Sequence, residues 1–450
     1  MNSKTLRTGL SLVLLAMTLA GCASYSGLNT EGVSLEAKNL KAGQSLSGVT
    51  LSPAAWPKSD WWKSLGDPQL DGLIREALHD SPDMQIADAR AHQASAAAYA
   101  ADAERMPTLD ASAGVSRSRL ARDQDPNGQG DAYSTVRNIS ANFNYNFDLW
   151  GGQRDAWEAA LGQARAAEVD QQAAQLTLAA DVARAYSDLG QAHIVHDLAS
   201  EDLKRTRQML DLSQRRLSSG IDSQYQFQQT ESLQASSEAS LIDAEKRLQS
   251  AKIALAVLLG KGPDRGNEIA RPKILQASAV ALPSVLPAEL LGRRPDLVAA
   301  RWRVEAASKN IDAGKTRFYP NLNLSAAAGA ESLLGDAMFG SASRFFNIAP
   351  TISVPIFDGG RLRADLDARD ADYDLAVAQY NKSLVKALGD VSDTINQLRD
   401  IGRQIGAQQH ATDIAQQSYD TVVQRYGSGI GNYLDVLSIE QQLLQAQRQL

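Results

Sequence analysis

The sequence has no surplus of basic residues, which limits the partners that the protein can have. It carries 45 Lys and Arg against 52 Asp and Glu in 450 residues, for a formal net charge of -7. A protein that binds nucleic acid neutralises phosphates with an excess of positive charge. We therefore expect no nucleic-acid partner.

Long apolar runs are lacking as well. The one marked run, Leu10–Ala20, lies near the N-terminus and is shorter than the ~20 residues that a spanning helix needs. If this chain crosses a membrane, the architecture left to it is a β-barrel, which also satisfies every backbone group in lipid.

Cysteine occurs once, at Cys22, so an internal disulfide is excluded. Lys4 and Arg7 precede the apolar run and small residues follow it, which is the pattern of a secretory signal peptide. Leu19-Ala20-Gly21-Cys22 resembles the bacterial lipobox, which implies cleavage before Cys22 and acylation of its thiol and new amine. Ala23 in place of Asp resembles the pattern for transfer to the outer membrane. From this motif we predict lipidation of Cys22. Several acyl chains would then hold the protein firmly to a membrane.

Residues that carry catalysis are sparse. The five histidines are scattered, and only His193 and His196 share a helix face, without a third ligand for zinc. The glycines of Gly427-x-Gly429-x-Gly431 follow a predicted helix and not a strand, so they do not form a dinucleotide loop. We expect no enzyme, no metal site and no cofactor other than the lipid on Cys22.

Proline is absent from long stretches. Apart from Pro126, residues 108–262 contain none, and neither do residues 356–450. Both stretches are rich in strong helix formers. Small and apolar residues recur there with the 4-3 spacing of a coiled coil, as in Val377, Tyr380, Leu384, Ala387, Val391, Thr394, Leu398 and Ile401. A helix over 153–219 would span roughly 100 Å at about 1.5 Å per residue, more than a globular domain requires.

The sequence also contains a duplicated unit. Three motifs occur twice: one begins at Pro107 and Pro320, one is Phe147-Asp-Leu-Trp-Gly-Gly and Phe357-Asp-Gly-Gly, and one begins at Arg216 and Arg425. In the first copy, Gly152 of the second motif and Gly220 of the third are 68 residues apart. In the second copy, the equivalent Gly360 and Gly429 are 69 residues apart. Each copy predicts strand, loop, strand, very long helix, glycine turn and long helix.

Four short segments alternate polar and apolar residues. The clearest, 138–149, places Ile139, Ala141, Phe143, Tyr145, Phe147 and Leu149 on one face, and Asn, Ser and Asp on the other. We predict strands at about 108–117, 136–149, 320–330 and 345–356, each long enough to cross a bilayer when tilted. A half-buried strand of a soluble sandwich would alternate similarly, but a face of Asn and Asp favours a water-filled lumen with aromatics toward lipid.

Four strands cannot close a barrel with an aqueous passage, since even eight leave room only for side chains or one small ligand. Unpaired edges are not tolerated in lipid. Several copies must therefore share one barrel, and three copies would supply twelve strands with cyclic symmetry.

The chain resembles the TolC-like outer membrane factors from about Trp56 to its C-terminus, in particular the lipoprotein branch of multidrug efflux systems called NodT-type. The resemblance rests on the duplicated Phe-Asp…Gly-Gly turns and on three further motifs: Trp61-Trp62…Gly66-Asp67-Pro68, Leu291-Leu-Gly-Arg-Arg-Pro-Asp, and Tyr426-Gly-Ser-Gly…Leu434-Asp435-Val-Leu. It implies an α+β membrane protein: a trimeric 12-stranded outer-membrane β-barrel, with four strands per chain, continued by a periplasmic α-helical coiled-coil barrel.

The resemblance also implies a function. Such a homotrimer is the outer-membrane channel of a tripartite efflux system. It passively conducts small molecules that an inner-membrane pump delivers through a periplasmic adaptor. We expect it in the cell outer membrane, lipid-anchored at Cys22 and extending into the periplasm.

Family members close at the turns between paired helices, which here contain Gly220 and Gly429 and are expected to contact the adaptor. Tyr426, Leu434 and Asp435 match the family's constriction, the predicted periplasmic gate. Rings of carboxylates favour cations, and apolar rings dewet a narrow pore. The match is incomplete, because Gly431, Ser438 and Gln226 stand where relatives can carry charged residues, which predicts a weaker ionic closure.

The predicted organisation has five parts: a signal peptide (1–21), a lipid-anchored extension (22–67), a first efflux repeat (68–262), a linker (263–286) and a second repeat (287–450). The last helix is expected to be about half as long as its counterpart after Gly220. Two alternatives of other kinds remain open: a non-conducting coiled-coil structural protein anchored in the outer membrane, and a type I protein-secretion duct. The first does not explain the repeated strands.

Overall fold

The computed structural model describes residues 24–36, 60–119, 133–273, 294–333, 337–431 and 433–450. The predicted signal peptide and Cys22 lie outside these ranges. Within them the helices are α1 (Pro68–Asp80), α2 (Pro82–Ala103), α3 (Gly152–Ser218), α4 (Gln224–Leu258), α5 (Pro295–Thr316), α6 (Arg361–Gly427) and α7 (Tyr433–Gln449). The strands are β1 (Thr108–Arg119), β2 (Tyr133–Phe147), β3 (Asn321–Leu333) and β4 (Arg344–Ser353).

The chain divides into two compact units, each built from parts of both sequence repeats. The first, here the strand unit, comprises the described parts of 1–35, 90–170 and 295–383. The second, here the turn unit, comprises those of 36–89, 171–294 and 384–450. Both long helices, α3 and α6, have 67 residues.

The strand unit contains one antiparallel sheet with the order β1-β2-β3-β4. β1 pairs with β2 with Ser112 opposite Ser140, and their hydroxyls are hydrogen-bonded at 2.9 Å. In the described chain, β1 and β4 each pair along one edge only. On β4, Phe346 is 83% exposed and Ile348 66%. Among the described residues, one edge of β1, one edge of β4 and apolar side chains of β4 are therefore left uncovered.

The strand ends differ from the predicted ones. β2 ends at Phe147 and not at 149, because Asp148 already caps α3: its carboxylate accepts hydrogen bonds from the backbone N–H of Gln153 (3.0 Å) and of Arg154 (2.9 Å). β4 ends at Ser353 and not at 356, and Pro355 has no N–H to continue the ladder. β1 and β3 run two and three residues beyond the predicted ends at 117 and 330, because the ladder continues to Arg119 and Leu333.

The repeated Phe-Asp…Gly-Gly motif begins each long helix. Asp358 caps α6 as Asp148 caps α3, and accepts from the backbone N–H of Leu362 at 2.8 Å. That hydrogen bond holds the pKa of Asp358 below its usual value. Gly151 and Gly360 have positive φ (78° and 90°), which glycine adopts without steric cost. The motif is therefore a strand-to-helix turn.

The N-terminal segment 24–35 lies along α6 in the strand unit. The Asp374 carboxylate accepts from the backbone N–H of Gly32 at 2.6 Å, and the Asn381 side chain accepts from that of Leu35 at 2.7 Å. Tyr25 reaches Tyr319 through their hydroxyls at 3.0 Å. Part of the predicted extension is thus fixed by backbone hydrogen bonds to side chains of the second repeat.

The core of the turn unit explains the Trp61-Trp62…Gly66-Asp67-Pro68 motif. Asp67 caps α1 through the backbone N–H of Gln69 (2.8 Å), and its other carboxylate oxygen accepts from the Tyr186 hydroxyl (2.8 Å). Trp62 is buried and donates to Asp71 at 3.0 Å. Leu70, Ile74 and other apolar residues of α1 pack there against residues of α3 and α4. The predicted linker begins with a 3₁₀ helix, Pro263–Glu268.

Within the part of the chain that the structure describes, no helix is both long and apolar enough to cross a membrane.

Candidate functional site

The two glycine turns between paired helices lie in the turn unit and have the same construction. After α3, Gly220 has φ 72°, and the Arg216 carbonyl accepts the backbone N–H of Ile221 at 2.9 Å. After α6, Gly429 has φ 79°, and the Arg425 carbonyl accepts the N–H of Ile430 at 3.0 Å. This closure of a helix C-terminus by a left-handed residue is why both copies carry glycine at this position.

The residues after the two turns differ. Ser223 caps α4 in a capping box with Gln226, so Gln226 has a local role in starting that helix. A Cβ at Gly431 would lie 2.8 Å from the backbone nitrogen of Tyr426. The second turn therefore has no room for a side chain at 431, which explains in steric terms why no basic residue stands there.

Side chains around the turns form a polar group, here the turn cluster: Arg216, Asp222, Thr230, Tyr426 and Tyr433. The Tyr426 hydroxyl donates to one oxygen of Asp222 at 2.9 Å, and Arg216 Nε donates to the other at 3.0 Å. The Arg216 guanidinium also lies 4.4 Å from the centre of the Tyr426 ring. Asp222, only 7% exposed, thus joins the end of α6 to the end of α3.

An apolar layer supports the turn cluster. Tyr433, at the start of α7, is buried and packs with Met209, Tyr426 and Val436. Its hydroxyl accepts a hydrogen bond from Thr230 of α4 at 2.6 Å. Burial, and then the neighbouring Asp222 carboxylate, raise the pKa of Tyr426 to about 12, so it acts as a donor at any physiological pH.

The residues predicted for the gate (Tyr426, Leu434 and Asp435) and for the adaptor-contacting turns (Gly220 and Gly429) lie in different surroundings. Tyr426 belongs to the turn cluster, and Gly220 and Gly429 form the two turns. Leu434 is 55% exposed and Asp435 is also exposed on the protomer surface. Their role at a constriction remains a prediction.

Sequence reasoning missed Arg216, Asp222, Thr230 and Tyr433. Asp222 had a signal, since the duplicated Gly-Ile is followed by Asp in the first copy and by Gly in the second. Arg216 and Arg425 are equivalent in the repeat, and only the three-dimensional contacts distinguish the one that binds Asp222.

The histidines form no metal site in the described ranges, where no group of three or more His, Cys, Asp or Glu is placed to hold an ion. Burial lowers the pKa of His193, and His196 lies 3.6 Å from the carboxylate of its neighbour Asp197.

The comparisons agree with this architecture. The model of the outer membrane efflux protein family matches residues 73–261 and 286–450. The fusaric acid resistance protein FusA of Burkholderia cepacia is 36% identical over 381 residues, covering 82% of this chain and 71% of FusA. The pyoverdine export outer membrane protein OpmQ of Pseudomonas aeruginosa is 31% identical over 445 residues, covering 97% of this chain and 91% of OpmQ. The crystal structure of the outer membrane protein VceC of Vibrio cholerae superimposes with a TM-score of 0.81 at 34% identity, covering 88% of this chain and 94% of VceC.

The fold and the duplicated helix turns define a TolC-like α+β outer membrane channel, which confirms the predicted fold class. The chain belongs to the outer membrane efflux protein family. It is an outer membrane channel component of an efflux system, and its family is one of transport channels rather than enzymes.

Proposed function

We propose that three copies of this chain form the outer membrane duct of a tripartite efflux system. The duct passively conducts small molecules that an inner-membrane pump delivers through a periplasmic adaptor protein. The observation that carries this proposal is the sheet: four antiparallel strands with two single-paired edges and an exposed apolar surface on β4.

The sheet supports a shared barrel on physical grounds. Unpaired backbone groups cost several kcal/mol each in lipid, so the free edges of β1 and β4 need partners. Pairing β1 of one copy with β4 of the next satisfies both edges, and three copies close a ring of twelve strands. Exposed residues such as Phe346 and Ile348 suit contact with lipid.

Passage through the duct is controlled at the helix turns. The turn cluster ties the end of α6 to the end of α3 within each copy. Leu434 and Asp435 follow the second turn and are exposed, so threefold symmetry can bring three copies of each around one axis. The exposed turns after Gly220 and Gly429 are the surface offered to the adaptor.

Small molecules are the proposed cargo, since the names of FusA and OpmQ refer to fusaric acid resistance and pyoverdine export.

Acylation of Cys22 anchors the protein, and residues 24–35, fixed along α6, hold the chain just after that anchor in place.

The test is to purify the full-length protein in detergent, measure its oligomeric mass and record conductance in planar bilayers. We expect a mass of three chains, discrete channels, and a higher conductance for Asp435→Ala than for the wild type. A monomer without channel activity contradicts the duct. Equal conductance of wild type and Asp435→Ala contradicts the role of Asp435 alone.

Two further measurements separate the remaining alternatives. A deletion strain that accumulates a fluorescent efflux substrate, and recovers with the wild-type gene, supports small-molecule transport. A strain that instead loses a secreted protein supports a type I duct. Palmitate labelling that is lost in Cys22→Ser tests the anchor.

A further inference from the structure

A carboxylate is buried in the turn unit away from the turn cluster. Glu440 of α7 is only 3% exposed. It faces Asp202 and Arg205 of α3 and Tyr419 of α6. These four residues are here the Glu440 cluster. Buried carboxylates are rarely retained without a cation or several hydrogen bonds.

The charges of the Glu440 cluster do not balance when both acids are ionised. Of these four described residues Arg205 is the one cation, and its Nη2 lies 3.8 Å from Asp202 Oδ1, beyond hydrogen-bond distance. Among the described residues, Glu440 Oε2 and Asp202 Oδ1 have no hydrogen-bond partner. The guanidinium also has no hydrogen-bond partner at Nε and Nη2 among the described residues. One cation therefore lies near two buried carboxylates, and one proton would restore neutrality.

These surroundings favour the protonated acid. Burial, and then the negative charge of Asp202, raise the pKa of Glu440 from its ordinary 4.5 to about 7. Arg205 and hydrogen bonding to Tyr419 lower it again, but by less. Glu440 thus changes charge near neutral pH, unlike an exposed glutamate.

The Glu440 cluster is continuous with the helix turns. Tyr419 packs against the apolar layer of Met209, Tyr426 and Tyr433 that supports the turn cluster. Tyr433 lies two helical turns before Glu440 on α7. Burial raises the pKa of Tyr433, and the negative charge of Glu440 raises it further. A change in how α7 packs at Glu440 therefore reaches Tyr426 directly through contacting side chains.

We propose that Glu440 is a proton-dependent switch that keeps α7 packed against α3 and α6 when protonated and loosens the helix turns when it ionises. This rests on the proposed function, because the loosened turns are taken to widen the passage. The groups that face Glu440 are Asp202 and Arg205 from α3, Tyr419 from α6 and Tyr433 on its own helix.

The direction of the pH effect follows from the two pKa values of Glu440. In the packed state the pKa is about 7, and in a loosened, hydrated state it returns toward 4.5. The stabilisation of the packed state by protonated Glu440 is therefore fully present below pH 4.5, and it is lost as the pH rises to about 7. Over this interval the ratio of loosened to packed states rises up to about tenfold per pH unit, and it is constant above.

The experiment records channel open probability and thermal unfolding of the full-length protein from pH 5 to pH 8. Wild type is expected to open increasingly up to pH 7 and then level off. Glu440→Gln mimics the protonated acid, so its open probability is expected to stay low and flat. Glu231→Gln, at an exposed position of α4, is the matched control and is expected to follow wild type.

The variants keep the switch falsifiable. Parallel pH profiles of wild type and Glu440→Gln overturn it. If Glu440→Gln does not fold, Asp202→Asn decides. Removing that negative charge lowers the pKa of Glu440 in the packed state, so opening is expected to level off at a lower pH than in wild type, and an unchanged levelling-off pH overturns the switch.

Thermal unfolding separates the switch from the duct itself. As the pH rises from 5 to 7, the unfolding temperature of Glu440→Gln minus that of wild type is expected to increase. If Glu440 has a purely structural role, this difference stays constant with pH. If no variant conducts at any pH, the proposed duct is contradicted. The unfolding profiles then still test whether protonation of Glu440 stabilises the packed state.

Discussion

The Tyr426 hydroxyl donates a 2.9 Å hydrogen bond to Asp222, across 204 residues of sequence and between the two helix turns. The same carboxylate is held by Arg216 at 3.0 Å. Because Asp222 and Tyr426 are both buried, this contact is protected from water and from screening by salt. It ties the second sequence repeat to the first at the part of the protein proposed to control passage.

Replacing Tyr426 by Phe is expected to loosen this connection while keeping the ring and its packing. A hydrogen bond to a charged group contributes about 1.5–3 kcal/mol, so the free energy of unfolding should fall by roughly that amount. Urea titration measures the loss, and channel recordings should show more frequent opening. Tyr225→Phe is the control, since Tyr225 is exposed on α4 next to the first turn and should change stability by less than about 0.5 kcal/mol.

Replacing Asp222 by Ala is expected to cost more than Tyr426→Phe. The substitution leaves the partly buried Arg216 guanidinium without its carboxylate, a situation that costs about 3–5 kcal/mol. Asp222→Asn keeps one acceptor oxygen and should lie between the two. Asp435→Ala, at an exposed position, should leave the unfolding free energy nearly unchanged. Equal destabilisation by Asp222→Ala and Asp435→Ala would contradict the buried ion pair.

Gly431 is expected to tolerate no side chain. A Cβ there would lie within 3.1 Å of backbone atoms of Arg425 and Tyr426, which cannot turn away as a side chain can. Gly431→Ala should therefore lower the unfolding temperature and raise channel opening. Gly427→Ala, at the end of α6 with no atom within 4 Å of the new Cβ, is the matched control and should be neutral or slightly stabilising.

Gly329 is expected to be required for the sheet. A Cβ at this position of β3 would lie 2.2 Å from the Ile139 carbonyl oxygen on the paired strand β2. Gly329→Ala should reduce the yield of assembled oligomer on semi-native electrophoresis. At Gly114 on β1 the new Cβ would meet only the end of the Asn138 side chain, which can rotate. Assembly of Gly114→Ala at the wild-type level, beside a loss for Gly329→Ala, is the expected pair of results.

The regular elements were predictable because they depend on periodic patterns. The long proline-free stretches predicted helices over 153–219 and after Gly220, and α3 and α4 occupy them. The alternating segments predicted four strands, whose ends were wrong by up to three residues, because a capping residue such as Asp148 or a proline such as Pro355 ends a strand in ways that alternation does not encode.

The candidate site was only partly predictable. Gly220, Gly429 and Tyr426 were found from the duplication, since a repeated glycine marks a repeated backbone conformation. The partner of Tyr426 could not be found that way. Asp222 belongs to the first repeat, and the second repeat, which contains Tyr426, has Gly431 at the equivalent position. Glu440 was missed for another reason. In the sequence it is one polar residue on an amphipathic helix, and nothing in that pattern marks it as buried.

The sequence by itself determined the helices, the strands, the two glycine turns and the family, because each of these is encoded by residues that are close along the chain. Only the tertiary structure decided which polar side chains are removed from water and which face each other. Asp222 and Glu440 look like Asp435 in the sequence, yet the first two are buried and Asp435 is exposed. Burial depends on how α3, α6 and α7 pack, and it changes the energetic cost of a charge far more than any local pattern does.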